Sequence, residues 1–126
     1  MDLIVIDDDK FMKKVFESIL RDQELSYAVY TNPHEGIVAV ENDSPCCVVV
    51  DYLMPDLKGD ELIIKASQKL LFKRSNFIMI TGEAVDEMMK MKLMTLGFQY
   101  IFSKSEIKSA LFLNTIKELI ADKKAA

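Results

Sequence analysis

Five side chains of three chemical kinds close the apolar runs of this sequence. Asp7 and Asp8 follow the run 3–6, Asp51 ends the valines 48–50, Thr81 follows 77–80, and Lys104 lies two residues beyond 98–102. Three carboxylates brought together repel one another unless a cation stands among them, and carboxylate oxygens suit a hard divalent ion such as Mg²⁺. An ammonium and a hydroxyl nearby add donors able to hold phosphoryl oxygens, while a carboxylate can be the nucleophile that receives the group. The set points to phosphoryl transfer onto an aspartate, on the condition that the run ends meet in space.

The periodicity supplies that condition. Residues 3–6 read as a buried strand, and Phe11, Met12, Val15, Phe16, Ile19 and Leu20 fall on one face of a following helix. A second strand is expected over 25–30, and a helix opens at Pro33 and runs to about residue 41, with 42–45 as its exit loop. The β-branched run 48–50 has the composition of a central strand covered on both faces. A turn over 54–59, a helix carrying Leu62, Ile63, Ala66, Leu70 and Leu71, and a strand over 77–80 come next. A helix over 84–96 stopped by Gly97, a strand over 98–102 and a closing helix over 107–120 complete the series, with 123–126 expected to fray.

Five strands, each followed by a helix, require crossover connections and therefore a parallel sheet. The expected class is α/β, a five-stranded parallel sheet doubly wound with helices on both faces. In such sheets ligands bind beyond the carboxyl ends of the strands, where the acids, Thr81 and Lys104 are expected to converge.

Composition excludes several other functions. At 126 residues the chain has the size of one domain, read here as 1–126. Sixteen basic against twenty acidic side chains give a net charge of −4, which argues against direct nucleic-acid binding. The apolar runs are far shorter than the roughly 18 residues of a membrane span. The opening MDLIVIDDDK has neither a basic stretch nor a small-residue cleavage site, so no membrane insertion and a cytoplasmic location are expected. Adjacent Cys46 and Cys47 match neither a disulfide framework nor a zinc site and are read as reduced, packed thiols. His34 at a helix start is read as a surface residue, and Asp9 as a helix cap.

The motifs IVIDDDK and VVVDYLMP, Gly59 eight residues after Asp51, and the registered Thr81 and Lys104 resemble the receiver domains of two-component response regulators over essentially the whole chain. The resemblance implies a flavodoxin-like sheet of strand order 2-1-3-4-5. It implies that Asp51 is the phospho-acceptor and that Asp8, Asp7 through water, Asp51 and the backbone carbonyl of Leu53 hold Mg²⁺, with Thr81 and Lys104 on the phosphoryl oxygens. It further implies a phosphoacceptor regulator in place of a turnover enzyme. The donor would be a sensor histidine kinase or histidine phosphotransfer protein. A downstream protein target would bind on the face formed by the helix at 84–96, the strand at 98–102 and the closing helix.

Three positions depart from that pattern. Ser105 stands where a proline usually follows the lysine. Ile101 occupies the usual aromatic switch position, with Tyr100 one place earlier and hence on the opposite strand face, and Leu53 offers no side-chain hydrogen bond to an attacking water. Two other readings of the acids remain open from sequence. One is a degenerate receiver that binds partners without being phosphorylated. The other is a small haloacid dehalogenase-type phosphatase reading Asp7 and Asp9 as its Asp-x-Asp pair, against which Phe11 and the short chain count. Met88, Met89, Met91 and Met94 form an apolar stripe that fits a partner surface and ordinary core equally well.

Overall fold

Successive strand side chains point to opposite faces, so a strand can be apolar throughout only where both faces are covered. That is the arrangement in the computed structural model, which describes residues 1–52, 54 and 74–126. Strands β1 (Leu3–Ile6), β2 (Tyr27–Tyr30), β3 (Cys47–Asp51), β4 (Asn76–Thr81) and β5 (Phe98–Ser103) form one sheet of order β2-β1-β3-β4-β5. Every neighbouring pair is parallel. The expected doubly wound, flavodoxin-like topology is therefore present.

Helices α1 (Lys10–Leu20) and α4 (Ala110–Ala125) cover one face, packing Met12, Phe16, Leu20, Phe112 and Ile116 against Leu3, Val5, Val49, Ile78 and Ile80. Helices α2 (Pro33–Asp43) and α3 (Glu87–Leu96) cover the other, where Ile37, Val40 and Leu93 meet Ile4, Ile6, Val48, Val50, Phe77 and Met79. Gly36 allows α2 to approach closely, because a Cβ there would lie 2.8 Å from Ile6 Cδ1. The helix expected around Leu62 to Leu71, Gly59 and the Leu53 carbonyl fall outside the described residues.

Several boundaries differ from the periodicity, each for a local reason. The second strand begins at Tyr27, two residues late, because Leu25 N–H is turned back onto Gln23 O. Helix α2 extends to Asp43 and ends at Ser44 in the left-handed region, where its N–H still reaches Val40 O. Helix α3 starts at Glu87 because Asp86 accepts a hydrogen bond from Met89 N–H, leaving Ala84 and Val85 outside. The closing helix starts at Ala110 behind the Ser109 cap, after a 3₁₀ turn at Lys104–Glu106. It continues to Ala125 where fraying is expected, and Lys124 Nζ lies 2.9 Å from Asp2 Oδ1.

Candidate functional site: an acidic cluster at the carboxyl edge of the sheet

Register brings the acids together. Ile6 pairs with Val50, so the residues that follow them, Asp7 and Asp51, emerge side by side at the carboxyl edge. Asp7 N–H donates to Tyr30 O, which holds the end of β1 in line with β2. The three consecutive acids then divide their work. Asp7 Oδ1 accepts from Asp9 N–H at 3.0 Å, and Asp9 Oδ1 accepts from Phe11 N–H at 2.8 Å. Asp9 is thus the α1 cap it was read to be, and this exposed role does not fit an Asp-x-Asp phosphatase pair. Asp8, half-buried, joins Asp7 and Asp51, and one oxygen from each of the three lies within 4.8 Å of the others.

Lys104 reaches this cluster from the end of β5. Its Nζ is 3.1 Å from Asp51 Oδ2 and 3.5 Å from Asp7 Oδ2. Asp7 and Asp51 are almost wholly buried, and Asp7 Oδ2 accepts no hydrogen bond among the described residues. Burial foremost, together with the Asp51 charge, pushes the Asp7 carboxyl up to about 7, against the lowering effect of Asp9 N–H and Lys104. Burial alone would lower the Lys104 ammonium, but the charges of Asp7 and Asp51 outweigh it and hold its pKa above the ordinary lysine value. Buried carboxylates, with Asp7 Oδ2 lacking a hydrogen-bond donor among the described residues, are a hard-oxygen set that a divalent cation fits.

Thr81, also buried, ends β4 beside Ser103 of β5. Its hydroxyl is turned into its own loop, accepting from Glu83 N–H at 3.1 Å and directed at Glu83 O at 3.4 Å. The structure therefore brings Asp7, Asp8, Asp51 and Lys104 into direct proximity, with Thr81 at the same edge bonded to the loop.

The Lys104–Ser105 peptide bond is trans, as are the other described bonds. A hydrogen-bonded turn that hydrophobic periodicity does not show surrounds it. Ser103 N–H donates to Glu106 Oε1 at 2.9 Å, and the Ser103 and Ser105 hydroxyls are bonded to each other. The Ser-x-x-Glu spacing of Ser103 and Glu106 is the signal that would have revealed this turn.

Met88, Met91 and Met94 are 82%, 68% and 54% exposed, while Met89 is half-buried against the core, so the stripe is chiefly surface. Tyr100 stacks on Phe102 at 6.2 Å, on the α1 and α4 face, and Ile101 packs on the opposite face. Cys47 is buried and Cys46 half-buried, both as free thiols. His34 is exposed at the start of α2. No helix among the described residues is long and apolar enough to cross a membrane.

A parallel sheet of this order with an acid cluster and a lysine at its carboxyl edge defines a class, and comparison with known proteins gives the family. The family model of the response regulator receiver domain matches residues 3–116, and the chain belongs to that family. It is 30% identical over 87 residues to chemotaxis protein CheY1 of Helicobacter pylori, covering 66% of this chain and 68% of that protein. It is 33% identical over 63 residues to an uncharacterised 14.6 kDa protein of Leptolyngbya boryana, where the match spans about half of each chain, 50% and 48%. Among solved structures, a CheY-like receiver domain protein from Methanospirillum hungatei superposes with a TM-score of 0.83 at 23% identity, covering 98% of this chain and 96% of that one. A signal receiver domain described as that of a LuxO repressor protein from Vibrio parahaemolyticus gives 0.87 at 14% identity, covering 98% and 92%. Both structures share the fold.

Proposed function

We propose that this receiver domain accepts a phosphoryl group on Asp51 from the phosphohistidine of a sensor histidine kinase or histidine phosphotransfer protein. The observation that carries the reading is the Lys104 ammonium 3.1 Å from Asp51 Oδ2, beside a buried Asp7 oxygen that accepts no hydrogen bond among the described residues. An Asp51 carboxylate oxygen attacks phosphorus in line, the P–N bond to the donor imidazole breaks, and the imidazole leaves with that electron pair, giving an acyl phosphate. Lys104 pairs with a new phosphoryl oxygen, and the Thr81 hydroxyl exchanges Glu83 for another.

Asp7, Asp8 and Asp51 would hold Mg²⁺, joined by the carbonyl of Leu53, which lies outside the described residues. When bound, Mg²⁺ supplies positive charge that offsets the repulsion among the carboxylates and the arriving phosphoryl oxygens. On this reading the domain is a cytoplasmic phosphoacceptor regulator, not a turnover enzyme, and its output is altered binding of a downstream protein. The exposed methionines of α3 support that helix as part of the contact face.

Incubation with Mg²⁺ and acetyl phosphate, with phosphate release followed over time, separates the readings. A phosphoacceptor loads one equivalent on Asp51 and then releases phosphate slowly, a phosphatase turns over steadily through Asp7, and a pure binding module takes up no label.

A further inference from the structure

The Lys104 side chain spans from the first residue of the turn after β5 to two buried carboxylates, so where its ammonium stands depends on the backbone turn that carries it. Three side chains close that turn: the Ser103 and Ser105 hydroxyls are bonded to each other, and Glu106 reaches back to the end of β5. Glu106 Oε1 accepts from Ser103 N–H at 2.9 Å, across Lys104 and Ser105. The backbone carbonyl of the same residue accepts from Ser109 N–H at 2.9 Å and from Ser109 Oγ at 2.6 Å. Ser109 Oγ in turn accepts from Phe112 N–H at 3.2 Å, capping α4. Ile107, next in the chain, is buried in the core beside α1 and α4. One end of the Lys104 turn is therefore tied to β5 and the other to α4, and Glu106 makes both ties.

We propose that Glu106 is a positioning residue. By fixing the Ser103–Glu106 turn it holds the Lys104 ammonium on Asp51 and Asp7, and through it tunes phosphoryl transfer. Glu106 itself is exposed and, among the described residues, its side chain bonds to Ser103 and to none of Asp7, Asp8 and Asp51, so its role is exerted through Lys104. What the turn requires of it is an acceptor oxygen, which a carboxamide also provides. Glu106→Gln is therefore expected to behave as wild type, while Glu106→Ala leaves Ser103 N–H to water and the turn open. The transfer arm rests on the phospho-acceptor reading, and a first arm is independent of it.

That first arm is trace acetylation of the protein without metal or phosphoryl donor, followed by peptide mapping. Lys104 reactivity relative to exposed Lys108 is expected to rise about threefold in Glu106→Ala and to stay at the wild-type ratio in Glu106→Gln. In the second arm the rate of Asp51 labelling by acetyl phosphate is compared in wild type, Glu106→Ala, Lys104→Ala and the double variant. Action through Lys104 predicts that Glu106→Ala slows labelling alone but has no further effect once Lys104 is removed. An unchanged Lys104 ratio in Glu106→Ala, a Glu106→Gln variant as perturbed as the alanine one, or multiplying effects in the double variant would each overturn the proposal. If wild type takes no label while the acetylation ratio shifts as expected, the phospho-acceptor reading fails and the positioning of Lys104 by Glu106 stands.

Discussion

Lys104 Nζ and Asp51 Oδ2 are 3.1 Å apart although 53 residues separate them in the chain. The contact closes the carboxyl edge of the sheet, since β3 delivers Asp51 and β5 delivers Lys104 with β4 between them. Because Asp7 Oδ2 lies 3.5 Å from the same ammonium, Lys104 faces two buried acids at once.

The metal-free domain should lose stability as pH rises. An acid whose pKa is higher folded than unfolded contributes stability that is present below the unfolded value and lost as pH climbs to the folded one. For Asp7 the window runs from 3.8 to about 7. Asp7→Asn keeps an Oδ1 acceptor for Asp9 N–H and removes the ionisation. It should flatten that slope and raise stability at pH 8 by about 1 to 3 kcal/mol in urea denaturation without metal. An Asn variant less stable than wild type at pH 8 contradicts the account of Asp7.

Protons should compete with Mg²⁺ for the same site. With the Asp7 carboxyl near 7, calorimetric titration should show affinity falling up to about tenfold per pH unit below that value, with proton release on binding near neutrality. Asp8→Ala, which leaves Asp7 and Lys104 in place, should weaken binding at every pH. Equal Mg²⁺ affinity at pH 5.5 and pH 8 would contradict it.

Thr81 should act through its hydroxyl, which in the unphosphorylated domain accepts from Glu83 N–H. Thr81→Ser should label at close to the wild-type rate. Thr81→Ala should label about tenfold more slowly, the scale of one hydrogen bond to a charged group. The Glu83 amide resonance should shift on phosphorylation of wild type as its hydroxyl partner turns away, and an unmoved resonance argues against recruitment of Thr81.

The exposed methionines should be dispensable for folding. Met91→Gln is expected to change unfolding free energy by less than about 0.5 kcal/mol, whereas Leu93→Ala, at a residue only 1% exposed, should lose about 2 to 5 kcal/mol. Loss of several kcal/mol at Met91 would return the stripe to the core.

The strands were legible because four of them carry unbroken apolar runs and the fifth is broken only by Gln99, and the residues that follow these runs include Asp7, Asp8, Asp51, Thr81 and Lys104. Helix starts were less so. Ala84 and Val85 continue the apolar pattern of α3, and only the Asp86 carboxylate on Met89 N–H sets the boundary. Glu106 was legible only through its Ser-x-x-Glu spacing from Ser103, and no periodicity shows that Lys124 meets Asp2. The division of the three consecutive acids was legible, because Asp9 directly precedes the helical spacing and caps α1 while Asp7 and Asp8, nearer the strand, turn inward.

The central claim is that Asp51 is the acceptor. Intact mass and peptide mapping of wild type and Asp51→Asn, after incubation with Mg²⁺ and acetyl phosphate, test it most directly. The account predicts one hydroxylamine-labile phosphoryl group on the wild-type peptide containing Asp51 and none on the variant. Equal labelling of the two proteins, or none on wild type even with a phosphorylated histidine donor supplied, would contradict it.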